Sequence, residues 1–202
     1  GEPGAPPLRM PVALMDVLAS HQIRAAVLEG LLGRAQGLGG CYAEVSLEAS
    51  GISALVNQAT NWLINGDRPA AAGSLHPNIA PYGDLLACAD GWVVLAVGSD
   101  RQFQQLCATL GHPEWSADAR FASNADRLHH RSDLMALLNG AAGTWSKSEL
   151  NAAFLERGVP AGVVKGVDEV FAEGEAGAVQ LLEDTWGRRP SPVAYRLERF
   201  PA

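Results

Sequence analysis

The spacing of apolar positions along this chain changes period several times, and each change marks an element. From Val12 to Arg34, the residues Ile23, Val27, Leu28, Leu31 and Leu32 recur at the spacing of one helical face, with good helix formers between them. This predicts a helix beginning near Asp16 and ending in the turn-like AQGLGG at 35–40. In CYAEVSLEAS, residues 41–50, Tyr42, Glu44 and Ser46 alternate with Cys41, Ala43, Val45 and Leu47, which predicts a short strand with one buried face. Ala49 to Asn65 returns to a helical pattern, closed by the breaker NGDRP at 65–69.

GDRPAAAGSLHPNIAP at 66–81 reads as a loop whose small residues permit close backbone approach. YGDLLACADGWVVLAVGS at 82–99 reads as a β-hairpin around an Asp-Gly turn at 90–91, the core of a small subdomain. Phe103, Leu106 and Leu110 describe a helix from Arg101 that Gly111 stops. A turn-rich connection with a short helical turn follows at 112–121. Helices are then expected at 123–140 and 146–156, the second opening on Ser146 and Glu149 at capping-box spacing. Ala161–Val164 suits a short strand, and a helix is expected from Val167. The tail from 177 is less periodic; its proline steps forbid a continuous helix, and it is expected to end in one extended segment.

Composition narrows the class. The 202 residues are 48% hydrophobic and only 18% charged, so a sizeable core is within reach, and the 22 glycines and 12 prolines favour many turns over a long bundle. A net charge of -7 with scattered basic residues argues against a nucleic-acid partner. The densest basic group, Arg188, Arg189, Arg196 and Arg199, reads first as a solvated tail. Cys41, Cys88 and Cys107 are odd in number and far apart, which offers neither a disulfide framework nor a metal motif and suits a reducing compartment. No apolar run approaches the ~20 residues of a membrane span. The opening GEPGAPPLRMP lacks the basic start and apolar stretch of a leader peptide. The expected location is cytoplasmic, with no membrane partner.

Few residues carry chemistry on their own. The histidines are His21, His76, His112, His129 and His130, without the spacing of a metal site, so no metal is expected. There is no P-loop, and the glycines at 37, 39 and 40 precede a strand-like segment rather than joining strand to helix, so they make no dinucleotide fingerprint. Asp16 stands out between Met15 and Val17 at the head of a helix, where backbone N–H groups and the helix dipole favour its anion. It is open to two readings, an ordinary N-cap or a carboxylate held for nucleophilic attack or proton transfer. His76, in GSLHPN, reads on its own as a surface or core-satisfied histidine. His129 and His130 read as part of a solvated helix face. Packing is the first explanation for each of the five tryptophans, Trp62, Trp92, Trp115, Trp145 and Trp186.

The run HPNIAPYGDLLACADGWVVLAVGSDRQFQQLCATLG at 76–111 resembles the small-domain signature of the family III CoA-transferases, with its His-Pro-Asn segment, Asp-Gly hairpin and Gln102-Phe103 helix. PEWSADARFASNADRLHHRSDL and WSKSELNAAFLERGVPAGVV continue the family pattern in order, and residues 1–50 resemble the stretch leading from the family's large domain into its linker. The resemblance implies an α/β fold: the C-terminal half of the family architecture, a linker helix plus a small α+β domain, without the N-terminal Rossmann-like region. The implied division is 1–70 for a large-domain remnant and linker, 71–165 for the small domain and 166–202 for a C-terminal return segment.

The resemblance also implies a site. Asp16 matches the family's catalytic aspartate, which attacks an acyl-CoA thioester and forms a mixed anhydride. A shielding glycine-rich loop matches Gly73, Ser74 and Leu75, and with His76 and Asn78 these are the implied substrate- or CoA-binding positions. Members similar to formyl-CoA transferase carry consecutive glycines there, whereas this chain has Gly73 alone, which favours a bulkier dicarboxylic or acyl acid. Two further departures are Ala19-Ser20 where the family has Thr-Gly, and Glu44 where it has an aspartate.

The implied ligands are coenzyme A, as acyl-CoA substrate, and a carboxylic acid. The implied assembly is a homo-oligomer, a dimer in the family, or association with the missing N-terminal half. Acyl-CoA α-racemisation and a non-catalytic truncated paralogue or assembly subunit are the competing functions.

Overall fold

The computed structural model describes residues 1–172 and 181–191. The chain divides into two units, Gly1–Pro77 and Asn78–Ala202.

The first unit is helical. Helix α1 spans Leu14–Ala35, α2 Leu47–Ser53 and α3 Val56–Asn65. α1 begins three residues after Pro11, whose ring disfavours helical backbone at the preceding Met10. α1 packs on α2, and Met15 lies so close to Gly51 that a Cβ there would sit 2.5 Å from the thioether sulfur. Gly51 thus lets the two helices approach. The expected strand at 41–50 does not form: residues 41–46 carry no ladder, and Ser46, in extended conformation, caps α2 by accepting from the Ala49 N–H. An alternating pattern needs a neighbouring strand to pair with, and the described residues of this unit contain none. The single helix expected over 49–65 is two, separated at Ala54-Leu55 and restarted at Val56, whose φ of 36° is left-handed. Gly66, φ 75°, ends α3 as a left-handed cap, as the NGDRP breaker predicts.

Little of this unit is buried. Ile23, Val27, Leu28, Leu31 and Leu32 form one apolar stripe of α1 and are each 51–60% exposed. Ala19 and Ser50 are the described buried residues of α1 and α2.

The second unit holds the core. Strands β1 (Tyr82–Cys88), β2 (Gly91–Ala96) and β3 (Ala161–Val163) form an antiparallel sheet in that order, with Leu86 opposite Val93 and Val93 opposite Val163. The hairpin turn is Ala89-Asp90 closed by the Cys88–Gly91 pair, one residue earlier than the Asp-Gly spacing suggests. Helices α4 (Asp100–Thr109), α5 (Asn124–His129), α6 (Arg131–Ala142), α7 (Lys147–Glu156) and α8 (Val167–Ala172) accompany the sheet, with a 3-10 turn at Pro113–Ala117. The helix expected over 123–140 breaks at His130.

Leu86, Val93 and Leu95 from the sheet, with Val97 just past β2, meet Phe103 and Leu106 of α4, Leu134 and Leu138 of α6, and Leu150 and Phe154 of α7. Each such side chain contributes about 1.5–3 kcal/mol when fully buried. Polar groups fix the edges. The Asn139 Oδ1 accepts from the Ala87 N–H at 2.8 Å and so ties β1 to α6, while Asp90 in the hairpin turn accepts from the Lys147 N–H and opens α7. Asp84, 1% exposed, receives both Nε and Nη2 of Arg131 at 2.9 and 2.6 Å. Three helices of this unit open on serines that accept from the third helical N–H: Ser99 and Ser123 with complete capping boxes, and Ser146 as its spacing predicts.

A second hairpin, β4 (Leu181–Asp184) and β5 (Gly187–Pro190), forms in the tail, and the extended segment expected at its end lies outside the described residues. Arg188 is exposed on it; Arg196 and Arg199 lie outside the described residues. Trp115 and Trp145 pack against the core as expected, whereas Trp186 is 96% exposed and Trp62 and Trp92 are each half exposed.

Candidate functional site

Asp16 is the third residue of α1, not its cap; the cap is Ala13, which offers no side-chain bond. The carboxylate is exposed in the first turn, where the unpaired N–H groups and the positive end of the helix dipole favour an anion. Its neighbours on the helix are fixed. Ala19 is buried, and the Ser20 hydroxyl donates to the Val17 carbonyl at 2.7 Å. Leu14 and Val17 donate their N–H groups to Val12 and Ala13, so the backbone on both sides of Asp16 is held.

Gly73 and Ser74 form a turn closed by the Leu75 N–H on the Ala72 carbonyl at 3.1 Å. Gly73 has φ 61°, donates its N–H to the Gly1 carbonyl at 2.9 Å, and leaves no room on its Cα: a Cβ would lie 3.0 Å from a Glu2 carboxylate oxygen. Next along, His76 is half-buried, and its Nε2 lies 3.2 Å from the Asn57 Nδ2 of α3. With the amide donating, Nε2 is an acceptor and the ring proton sits on Nδ1. Asn57 has no motif around it in the sequence; only the fold brings it to His76.

Within the first unit, the structure therefore gathers Gly73, Ser74, Leu75 and His76 into one turn docked on α3, and sets Asp16 on α1. Asn78 belongs to the second unit, where its carbonyl accepts from the Asn124 Nδ2 at 2.8 Å and the same Asn124 receives the Ala80 N–H through Oδ1. Asn78 thus has a defined structural task at the start of the sheet.

Two cavities of the first unit flank α1. One of about 540 Å3 is lined by Ile23, Val27, Gly30, Leu31, Cys41 and Val45 among others, and is largely apolar. The other, of about 240 Å3, lies against α2 and carries Gln22, Glu44, Ser46, Ser50 and Ser53. Glu44 therefore faces a polar recess beside α1. Among the described residues no group of His, Cys, Asp and Glu could hold a metal ion, and no helix is long and apolar enough to cross a membrane.

Comparison with known proteins bears on this arrangement. The family model described as CoA-transferase family III matches residues 1–201. The chain is 33% identical to the succinate–glutarate CoA-transferase of Agrobacterium fabrum over 91% of its own length and 46% of that protein's. It is 32% identical to an acyl-CoA transferase of Fusarium pseudograminearum, covering 91% of itself and 40% of the relative. Among solved structures, a CAIB/BAIF family protein from Brucella suis superposes with a TM-score of 0.69 at 35% identity, over 91% of this chain and 48% of that one. The chain thus spans about half the length of the relatives it matches.

Proposed function

This chain belongs to CoA-transferase family III, and from that premise we propose that it is the C-terminal half of a transferase that moves CoA between an acyl-CoA and a carboxylic acid, with Asp16 as nucleophile. The observation that carries the reading is Asp16 itself, an exposed carboxylate in the first turn of α1, which the sequence resemblance matches to the family's catalytic aspartate. The relatives' names favour dicarboxylic acids as donor and acceptor. The lone glycine of the 72–75 turn agrees with an acid bulkier than oxalate or formate.

The chemistry follows from the carboxylate. An Asp16 oxygen attacks the thioester carbonyl carbon, the C–S bond breaks, and CoA leaves as thiolate, giving an aspartyl–acyl mixed anhydride. The thiolate attacks the aspartyl carbonyl, releasing the donor acid and leaving CoA on Asp16 as a thioester. The acceptor carboxylate displaces that CoA to form a second anhydride, and the thiolate then takes the acceptor acyl group and frees Asp16. Each step exchanges one oxygen or sulfur nucleophile for another at an acyl carbon, with no change in oxidation state.

A carboxylate is a weak nucleophile in water, so the reaction needs water excluded and the thioester aligned. We assign the turn at Gly73, Ser74 and Leu75, with His76, to the wall around the acyl group. Most of the contacts to CoA are assigned to the complementary N-terminal half of the family architecture.

Intact-mass measurement tests this. The chain is mixed with succinyl-CoA, glutaryl-CoA or acetyl-CoA, alone and with the family's N-terminal half supplied, and trapped with hydroxylamine beside an Asp16→Asn variant. An acyl or CoA adduct on the wild type that the variant lacks supports the reading. An adduct that persists in the variant, or none with the complementary half present and both pieces folded, sinks it.

A further inference from the structure

The basic side chains of the second unit can be accounted for one at a time. Between residues 78 and 172, Arg120 pairs with Asp118, Arg127 with Asp100, Arg131 with Asp84 and Lys147 with Glu169. Lys165 is engaged as well and lies in the field of Glu169. The two cations of this stretch that have no carboxylate or hydrogen-bond partner among the described residues are Arg101, on the first turn of α4, and Arg157, at the end of α7. They are far apart in sequence, yet both line one cavity of about 310 Å3, together with Ser99, Gln102, Gln105 and Gly158.

The chemistry of that lining is one-sided. The lining residues are two arginines, two glutamines, a serine and a glycine, with no acidic residue among them. Two like charges facing one cavity repel, and an anion placed between them relieves the repulsion. Part of the α4 N-terminus is already committed. Its N–H at Gln102 is taken by the Ser99 hydroxyl, and the Gln102 Oε1 accepts from the Gly98 and Ser99 N–H groups. That commits the Gln102 oxygen and leaves its NH2 group to donate. The carbonyl end of α7 offsets part of the Arg157 charge and leaves that of Arg101 uncompensated.

We propose that this cavity is a binding site for a small oxyanion, a phosphoryl or carboxyl group of a metabolite, clasped by Arg101 and Arg157 together. A guanidinium fork takes either group bidentately, which a lysine could not do. The volume lies at the lower end of small-molecule sites, on the order of 300 Å3, and so suits a compact acid or phosphate rather than a whole nucleotide. The site is built wholly from residues 99–158 and is independent of any role for Asp16.

The test is a titration of the arginine-15N-labelled chain with inorganic phosphate, pyrophosphate and succinate, reading the side-chain Nε–Hε signals. Saturable shifts are expected at Arg101 and Arg157, with affinity falling about tenfold or more in Arg101→Gln and in Arg157→Gln. Arg120→Gln, which removes an exposed paired arginine, should leave binding unchanged. Preference between the phosphates and succinate identifies the group taken. Shifts that never saturate, that spread equally to Arg120, or that survive the Arg101→Gln/Arg157→Gln double substitution overturn the proposal. Circular dichroism confirms that the variants are folded.

Discussion

Arg127 and Asp100 join α5 to the first turn of α4 through a 2.6 Å ion pair whose two ends live in different media: the arginine side chain is 2% exposed and the aspartate 64%. The rest of the guanidinium is used inside the unit. Its Nε donates to the Ala80 carbonyl at 2.9 Å, its Nη1 to the Phe121 carbonyl at 3.0 Å, and its plane lies 4.6 Å from the centre of the Phe103 ring. Asp100 is thus the wet end of a bond whose dry end closes the core.

Removing the two partners should therefore have unequal effects. Arg127→Leu strands the two buried carbonyls of Ala80 and Phe121, at about 1–3 kcal/mol each. Asp100→Asn leaves Arg127 with both carbonyls but takes the counter-charge from a guanidinium whose side chain is 2% exposed, so a loss of about 1–3 kcal/mol is expected, below that of Arg127→Leu. Urea unfolding of the two variants checks the ratio; equal losses would mean that the ion pair, not the carbonyl contacts, holds α5.

Thiol chemistry should separate the three cysteines. Cys41 is exposed, whereas Cys107 lies fully buried in the core and burial pushes its pKa from 9.0 up to about 12. Cys88 is half-buried, and burial with the nearby Asp90 raises it as well. Native protein at mildly alkaline pH should be alkylated at Cys41 first, slowly at Cys88 and not at Cys107, with all three reacting in denaturant; peptide mass mapping reads this. The sign for stability follows. Cys107 keeps its proton in the folded state after the unfolded chain has lost it, so the stability it contributes is present below pH 9 and declines as pH rises from 9 towards 12. Cys107→Ala should flatten that decline.

The second unit was the more legible of the two in sequence. The apolar runs around the turn in 82–96 and the helical spacing of Phe103, Leu106 and Leu110 belong to elements whose core-facing residues are buried in the unit that contains them, so pattern and structure agree. The period of Ile23, Val27, Leu28, Leu31 and Leu32 is just as regular. It says which face of α1 is apolar but not what covers it, and that face is bare here. The 41–46 alternation misled because a strand exists only with a partner. Asp16 is visible as an acidic residue at a helix start, but Ala13 caps α1 without a side-chain bond and leaves no signature, so the sequence points to a start two residues after the true one. Asn57 beside His76, and Arg101 beside Arg157, join distant segments that no local spacing announces.

The Asn57–His76 contact makes a prediction about the ring proton. With the amide donating to Nε2, His76 should be held as the Nδ1–H tautomer, visible in the 15N chemical shifts of its imidazole. Asn57→Ala should shift the ring toward the distribution of an unconstrained imidazole while α3 stays folded. An unchanged tautomer would show that other neighbours of His76, not Asn57, fix it.

Gly73 offers the sharpest test of the 72–75 turn because two demands meet on one α-carbon. Its φ of 61° is left-handed, and a side chain there would stand 3.0 Å from a Glu2 carboxylate oxygen. Alanine suffers from both, with about 1–2 kcal/mol for the backbone alone. Asparagine tolerates the left-handed backbone better, yet meets the same carboxylate. The combination Gly73→Ala with Glu2→Ala separates the causes, since it removes the close approach and keeps the backbone strain. Hydrogen exchange at the Leu75 amide, which closes the turn on the Ala72 carbonyl, reads each variant directly. The expected order of protection is wild type, then Gly73→Asn, then Gly73→Ala. Rescue of the double variant to the wild-type rate would assign the effect to Glu2, and no rescue would assign it to φ. If the turn shields an acyl group on Asp16, the same order should appear in the lifetime of the acyl adduct when the addition of hydroxylamine is delayed, because a loosened turn admits the water that hydrolyses the anhydride before it is trapped.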